Sequence, residues 1–131
     1  MSVSRGKSDK AKLKLKCDKL AKEIVKLRDD YTCQHCGMRV EGGNCQASHV
    51  IPVSYGHRFA YDTRNMKVLC MHCHLHWWHK NPIEAAEWYK KKFPANYKYL
   101  EKRKKETIVP LTEQYFRDIY DRLLEEEKLY D

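Results

Sequence analysis

Four cysteines, Cys33, Cys36, Cys70 and Cys73, form the pattern C-x2-C-x33-C-x2-C. Each C-x-x-C turn offers two thiolates to one ion, and two such turns fill a tetrahedral shell. A shell closed by four protein ligands has no open position, so zinc here is expected to be structural. The constraint on the fold is severe. Once both pairs share an ion, the 33 residues between them must leave one point and return to it. That is longer than a simple zinc ribbon requires, so the spacer must be a compact excursion.

The same frame ranks the readings of "CMHCHLHWWH", residues 70–79. C-x-x-C-H is also a haem-attachment signature, but haem leaves the upstream pair unexplained. A thioredoxin-type redox pair would need a βαβ context that is missing. Zinc accounts for both pairs. Cys17 and Cys45 have no spaced partner and read as small core residues.

The chain has 131 residues, enough for one compact domain and a helical extension. Its formal net charge is +8 and its pI about 9.2. This balance favours an anionic partner, nucleic acid first among them, without separating DNA from RNA or acidic membrane. No apolar run approaches the ~18 residues of a membrane span, so no membrane partner is expected. The stretch "MSVSRGKSDKAKLKLK" lacks the apolar segment of a signal peptide. A cytoplasmic location is therefore expected, where thiols stay reduced and cysteines serve metal before disulfides.

Residues 8–29 are predicted to be a helix capped by Ser8 and Asp9, with Leu13, Cys17, Leu20, Ile24 and Leu27 on one apolar stripe. Lysines 10, 12, 14, 16, 19, 22 and 26 cover much of the rest, either as a solvated face or as a phosphate-contacting arm. "GMRVEGGNCQASHVIP" reads as two strand-like segments about a Gly42-Gly43 hairpin turn. "MKVLC" is a short apolar strand, and a helix from Met71 should stop by Asn81. Asn81, Pro82 and Glu84 read as the capped start of the next helix, which Pro94 breaks. A basic helix over 95–106 follows, then an amphipathic one over 111–129 with Leu111, Tyr115, Ile119 and Leu123 on one stripe. Glu113–Arg117 and Asp118–Arg122 are its supporting pairs. The two terminal amphipathic helices would either pack on the core or join two copies as a homodimer. The expected division is 1–29 as basic arm and helix, 30–93 as zinc-bound core, and 94–131 as helical extension. His49, Asn65 and His74 then lie on two strand ends and one helix start, all near one zinc.

In sequence the chain resembles the HNH endonucleases of the ββα-metal fold. The matching residues are Cys33-x-x-Cys36-Gly37, Ser48-His49-Val50-Ile51-Pro52, Arg64-Asn65 and Leu69-Cys70-x-x-Cys73-His74. "RDDYTCQHCG", "CQASHVIP" and "YDTRN" before "VLCMHCH" are most similar to phage recombination proteins of the NinG kind. The resemblance implies an α+β fold, a small zinc-stabilised ββα-metal core flanked by N- and C-terminal amphipathic helices. It implies a divalent-metal-dependent DNA endonuclease, nicking or acting on branched DNA in phage recombination within the bacterial host cytoplasm. His49 would be the general base, Asn65 would orient its imidazole, and His74 would bind a catalytic Mg²⁺, Mn²⁺ or similar ion. Products would carry 5′-phosphate and 3′-hydroxyl ends.

One departure matters. Many such enzymes carry a metal-binding Asp just before the base histidine, where this chain has Ser48. His74 then needs another ligand, with Asp62 and His79 as candidates. Five residues of regular helix rotate by about 140°, which would part His79 from His74 and leave His72, His76 and His79 on one face. His35 and His57 have no partner pattern. Trp77, Trp78 and Trp88 read as core, and Arg58, Arg64, Lys67 and Lys80 as phosphate contacts flanking the site. The alternative function is a non-catalytic zinc module that binds DNA.

Overall fold

The computed structural model describes residues 8–130; the first seven residues of the basic arm and Asp131 lie outside the described residues. It is an α+β structure of five helices and one two-stranded sheet. Helix α1, Asp9–Arg28, starts at Ser8, whose side chain accepts from the Ala11 N–H at 3.2 Å. Four of the five expected stripe residues face the core, Cys17 and Ile24 buried and Leu13 and Leu20 half-buried against it; Ala21 and Val25 widen the stripe, while Leu27 is exposed. The exchange of Leu27 for Val25 in the last turn follows from what α1 packs against there. Its end is riveted to the sheet by Arg28, which donates to the carbonyls of Thr63 (2.7 Å) and Met66 (2.6 Å), and by Asp29, which accepts from the Val68 N–H at 2.9 Å. That contact turns the side of Val25 and Arg28 inward.

The expected hairpin at Gly42-Gly43 does not form. The Cys33–Cys36 turn sends the chain straight back, so that Cys33 N–H meets Met38 C=O at 2.8 Å and Val40 N–H meets Tyr31 C=O at 2.7 Å. The segment before Gly42 is thereby used, and Gly42–Asn44 becomes a short 3-10 turn. Strand β1, Gln46–His49, pairs antiparallel with β2, Met66–Leu69, placing Ser48 opposite Lys67 and His49 opposite Met66. Between them residues 53–65 run through three 3-10 turns.

Helix α2, Met71–Cys73, continues as a π turn over His74–Trp78. Helix α3, Pro82–Lys92, begins at Asn81, whose side chain makes no cap bond; only its carbonyl accepts, from Ala85 at 2.9 Å. Glu84 instead takes the indole N–H of Trp77 at 3.5 Å. Helix α4 covers Pro94–Arg103, and α5, Glu113–Glu127, is capped by the Thr112 hydroxyl. The Glu113–Arg117 pair forms at 3.1 Å, while Asp118 accepts from Gln114 rather than pairing with Arg122.

The terminal stripes meet within one chain. Cys17, Ala21, Ile24 and Val25 of α1 share a core with Val68 and Leu69 of β2 and with Phe116, Ile119 and Leu123 of α5. All three expected divisions therefore contribute to one interior. Cys17 and Cys45 are buried in it as expected, and Cys17 donates to the Phe116 carbonyl at 3.4 Å. A second cluster of Ile51, Phe59, Tyr89 and Leu100 supports the 3-10 turns from the side of α3 and α4. No described helix is long and apolar enough to cross a membrane.

Candidate functional site

The sulfur atoms of Cys33, Cys36, Cys70 and Cys73 lie within 4.8 Å of one another, and Cys36 and Cys70 are 3.8 Å apart. Four thiolates at about 2.3 Å from a tetrahedral zinc stand about 3.8 Å apart, so the cluster has the dimensions of a zinc shell. Its local devices are backbone ones. Gly37 takes φ +80°, a left-handed conformation that closes the first turn behind Cys36. Cys70 caps α2, its sulfur accepting from the Cys73 N–H at 3.3 Å. Burial raises the Cys33 thiol, but backbone N–H groups of Cys36, Cys70 and His35 outweigh this and bring it down to about 7. Burial and the crowding of neighbouring sulfurs raise Cys73 and Cys36. A cation bound among them would relieve that crowding by taking the thiolates as ligands.

His35 is a neighbour that spacing did not flag. Its Nδ1 lies 3.3 Å from Cys73 Sγ, and its ring stacks on Trp77 with centroids 3.5 Å apart. The C-x-H-C order within the first pair is the signal that could have found it. The three tryptophans are half-buried, and Trp88 packs edge to face against His35, Trp77 and Trp78. Trp78 N–H donates to the His49 carbonyl at 3.1 Å, so the cluster also holds the end of β1.

Beyond that strand end lies a cleft of about 800 Å³, lined by His49, His74, His79 and Trp78, with Lys22 and Lys104 among its other residues. The regular-helix expectation fails here. His79 N–H bonds the His74 carbonyl five residues back, at 3.2 Å, which is π geometry. The wider turn brings His79 round to His74, and their Nε2 atoms face each other at 3.0 Å. His72 and His76 remain a separate exposed pair with ring centroids 5.1 Å apart. A 3.0 Å separation is hydrogen-bond length. It is also the spacing of two cis ligands about 2.1 Å from an octahedral ion.

Ser48 occupies the other side of His74. Its hydroxyl is 2.5 Å from His74 Nδ1 and donates to the Gln46 carbonyl at 3.2 Å. With that donation made, the serine oxygen accepts Nδ1–H, and His74 Nε2 is left as a lone pair facing His79. Burial lowers the His74 pKa, and the charges of His79 and His49 lower it further, favouring the neutral, ligating imidazole.

His49 Nε2 bonds the Ala60 carbonyl at 3.1 Å, which sets Nδ1 as the free acceptor of the neutral ring. The orienting group is thus a backbone carbonyl, and Asn65 does not touch the imidazole. Asn65 is fully buried, accepts from the Ile51 N–H (2.8 Å) and donates to the carbonyls of Ile51 (2.9 Å) and Phe59 (3.0 Å). It acts one step back, by shaping the loop that presents Ala60.

Asp62 is not brought to the histidines. It pairs with Arg103, accepts from Tyr99 at 2.6 Å and caps Arg64, lining a different cleft. Lys67 is only 6 % exposed, its ammonium 4.0 Å from the Phe93 ring centroid, so it is not a free surface charge. Arg58 is turned inward to the carbonyls of Arg103 and Lys104. Arg64, stacked over Tyr99, and Lys80 stay exposed. His57 lies in the 3-10 turns, with a buried and unpartnered Nδ1. Searches against family models, curated proteins and solved structures returned no match.

Proposed function

We propose that the chain is a divalent-metal-dependent DNA endonuclease of the HNH, ββα-metal kind, with a structural zinc in the cysteine shell. The observation that carries this reading is the convergence of His74 Nε2 and His79 Nε2 at 3.0 Å in a cleft that His49 also lines. In this reading the two histidines would hold the catalytic ion, His79 replacing the carboxylate that Ser48 lacks. A bound Mg²⁺ or Mn²⁺ would stabilise charge on the scissile phosphate and on the leaving 3′ oxygen. His49 takes the proton of the attacking water on Nδ1, while Ala60 holds the opposite ring nitrogen. Ser48, bonded to His74 Nδ1, leaves the His74 Nε2 lone pair free to take such an ion. Lys22 and Lys104 at the cleft, with Arg64 and Lys80 beyond it, would contact DNA phosphates and make binding salt-dependent. Branched DNA in phage recombination is the substrate class the resemblance implies, with the host cytoplasm as location.

A non-catalytic DNA-binding zinc module is the second reading. What favours it is the scarcity of carboxylates: among the described residues only Glu101 lines the cleft, and it is paired with Lys104 at 3.0 Å. Supercoiled-plasmid and four-way-junction cleavage with Mg²⁺, Mn²⁺ or EDTA decides between them. The endonuclease reading expects divalent-dependent nicking that falls by ~10²–10⁴-fold in His49→Ala, with zinc content unchanged. Equal rates for wild type and His49→Ala would refute the mechanism, and wild-type inactivity with every ion would favour the binding module.

A further inference from the structure

A second cleft, of about 190 Å³, lies where the 3-10 turns meet α4 and α5, apart from the histidines. Arg58, Arg64, Arg103 and Arg122 all line it, against two carboxylates, Asp62 and Glu126. Neither carboxylate pairs with Arg122, although Arg103 is paired with both Asp62 and Glu106. Asp62 is held by Arg103 and Tyr99, and Glu126 accepts from the Thr63 hydroxyl at 2.6 Å. Arg122 makes no ion pair or hydrogen bond among the described residues, and neither the Tyr61 nor the Tyr115 hydroxyl finds a partner there. The surroundings of Tyr115 show how the charges converge. Arg58, Arg103 and Arg122 line the cleft together with Tyr115, and where burial raises the Tyr115 pKa their charges pull against that rise. Like charges gathered in a partly desolvated cleft repel one another unless an anion joins them. Arginine forks and phenol hydroxyls are donors matched to phosphate oxygens.

We propose that this cleft is a phosphate-binding site, using Arg122 and the Tyr115 hydroxyl. The ligand is a phosphoryl group, supplied either by the backbone of a nucleic-acid strand or by a terminal phosphomonoester. The site has a direct route to the histidine cleft, since Tyr61, Asp62 and Thr63 line it and follow Ala60, whose carbonyl holds His49.

The test is titration of the zinc-loaded protein with inorganic phosphate, followed by NMR of the arginine side chains and tyrosine rings. Saturable shifts centred on Arg122 and Tyr115 are expected. Loss of one charged donor should weaken them about tenfold in Arg122→Gln, and somewhat less in Tyr115→Phe. Oligonucleotides with and without a 5′-phosphate identify the source. A gain confined to phosphorylated ends assigns a monoester, and equal binding that inorganic phosphate competes away assigns the backbone. Both outcomes support the site. No saturable shift, or equal shifts in wild type, Arg122→Gln and Tyr115→Phe, would overturn it. Arg122 is exposed on α5, so its variant should keep the fold, which circular dichroism checks.

Discussion

The cysteine cluster and the histidine cleft sit at opposite ends of one short helical stretch, residues 70–79, yet they are built differently. In the cluster every position is set by a local turn. Two residues separate each cysteine pair, a left-handed glycine closes the first turn, and the sulfur of Cys70 caps α2. Such geometry travels with the motif. In the cleft the decisive contact, His74 to His79, depends on a departure from regular helix. Spacing arguments succeed where backbone geometry is standard and mislead where it is not.

The comparison can be broken most forcefully at the cysteines. Cys70→Ser removes both a shell member and the cap of α2, and metal binding in such sites is coupled to folding. We expect loss of bound zinc and of cooperative unfolding, checked by elemental analysis and thermal melts. A folded, metal-free variant would disprove the zinc shell. Asn65→Ala comes next. It strands the Ile51 N–H and two buried carbonyls and leaves a small cavity, a cost of about 2–4 kcal/mol. Chemical denaturation measures it, and a change under about 0.5 kcal/mol would show that Asn65 does not hold the loop.

A smaller effect is expected at Lys67. Burial lowers its pKa from 10.5 to about 8, and Arg28 adds to the shift against the pull of Asp29. The unfolded chain therefore binds more protons than the folded one between pH 8 and 10.5, so this residue makes stability rise with pH across that window. Below pH 8 the penalty for a buried charge is fully present. Lys67→Met should stabilise the protein at pH 7 by on the order of 1 kcal/mol, a gain that fades towards pH 10.5. A pH-independent difference between the two proteins would contradict this account.

Much of the architecture was legible in the chain. The cysteine frame, the Ser8 cap, the strand at "MKVLC", the proline break before α4 and the burial of Cys17 and Cys45 all follow from local rules. The errors have physical causes. Lys67 reads as a phosphate contact from its charge and its place beside the site, but β2 is covered on both faces and all four of its residues are buried. The Gly42-Gly43 hairpin lost to the return of the Cys33–Cys36 turn, which had already engaged residues 38–40. Asp62 is a candidate partner ligand for His74 in the sequence, but Arg103, distant along the chain, claims it. The orientation of His49 by Ala60 could not be read because a backbone carbonyl leaves no trace in residue identity. The π turn has no local signature here, and it alone joins His79 to His74.

Single-turnover nicking measured against Mn²⁺ concentration tests the proposed histidine metal site most directly, using wild type, His79→Ala and His76→Ala. Loss of a ligand should raise the half-saturating Mn²⁺ at least about tenfold in His79→Ala, while His76→Ala, on the other face, should match wild type. A His79→Ala profile indistinguishable from wild type would contradict the site.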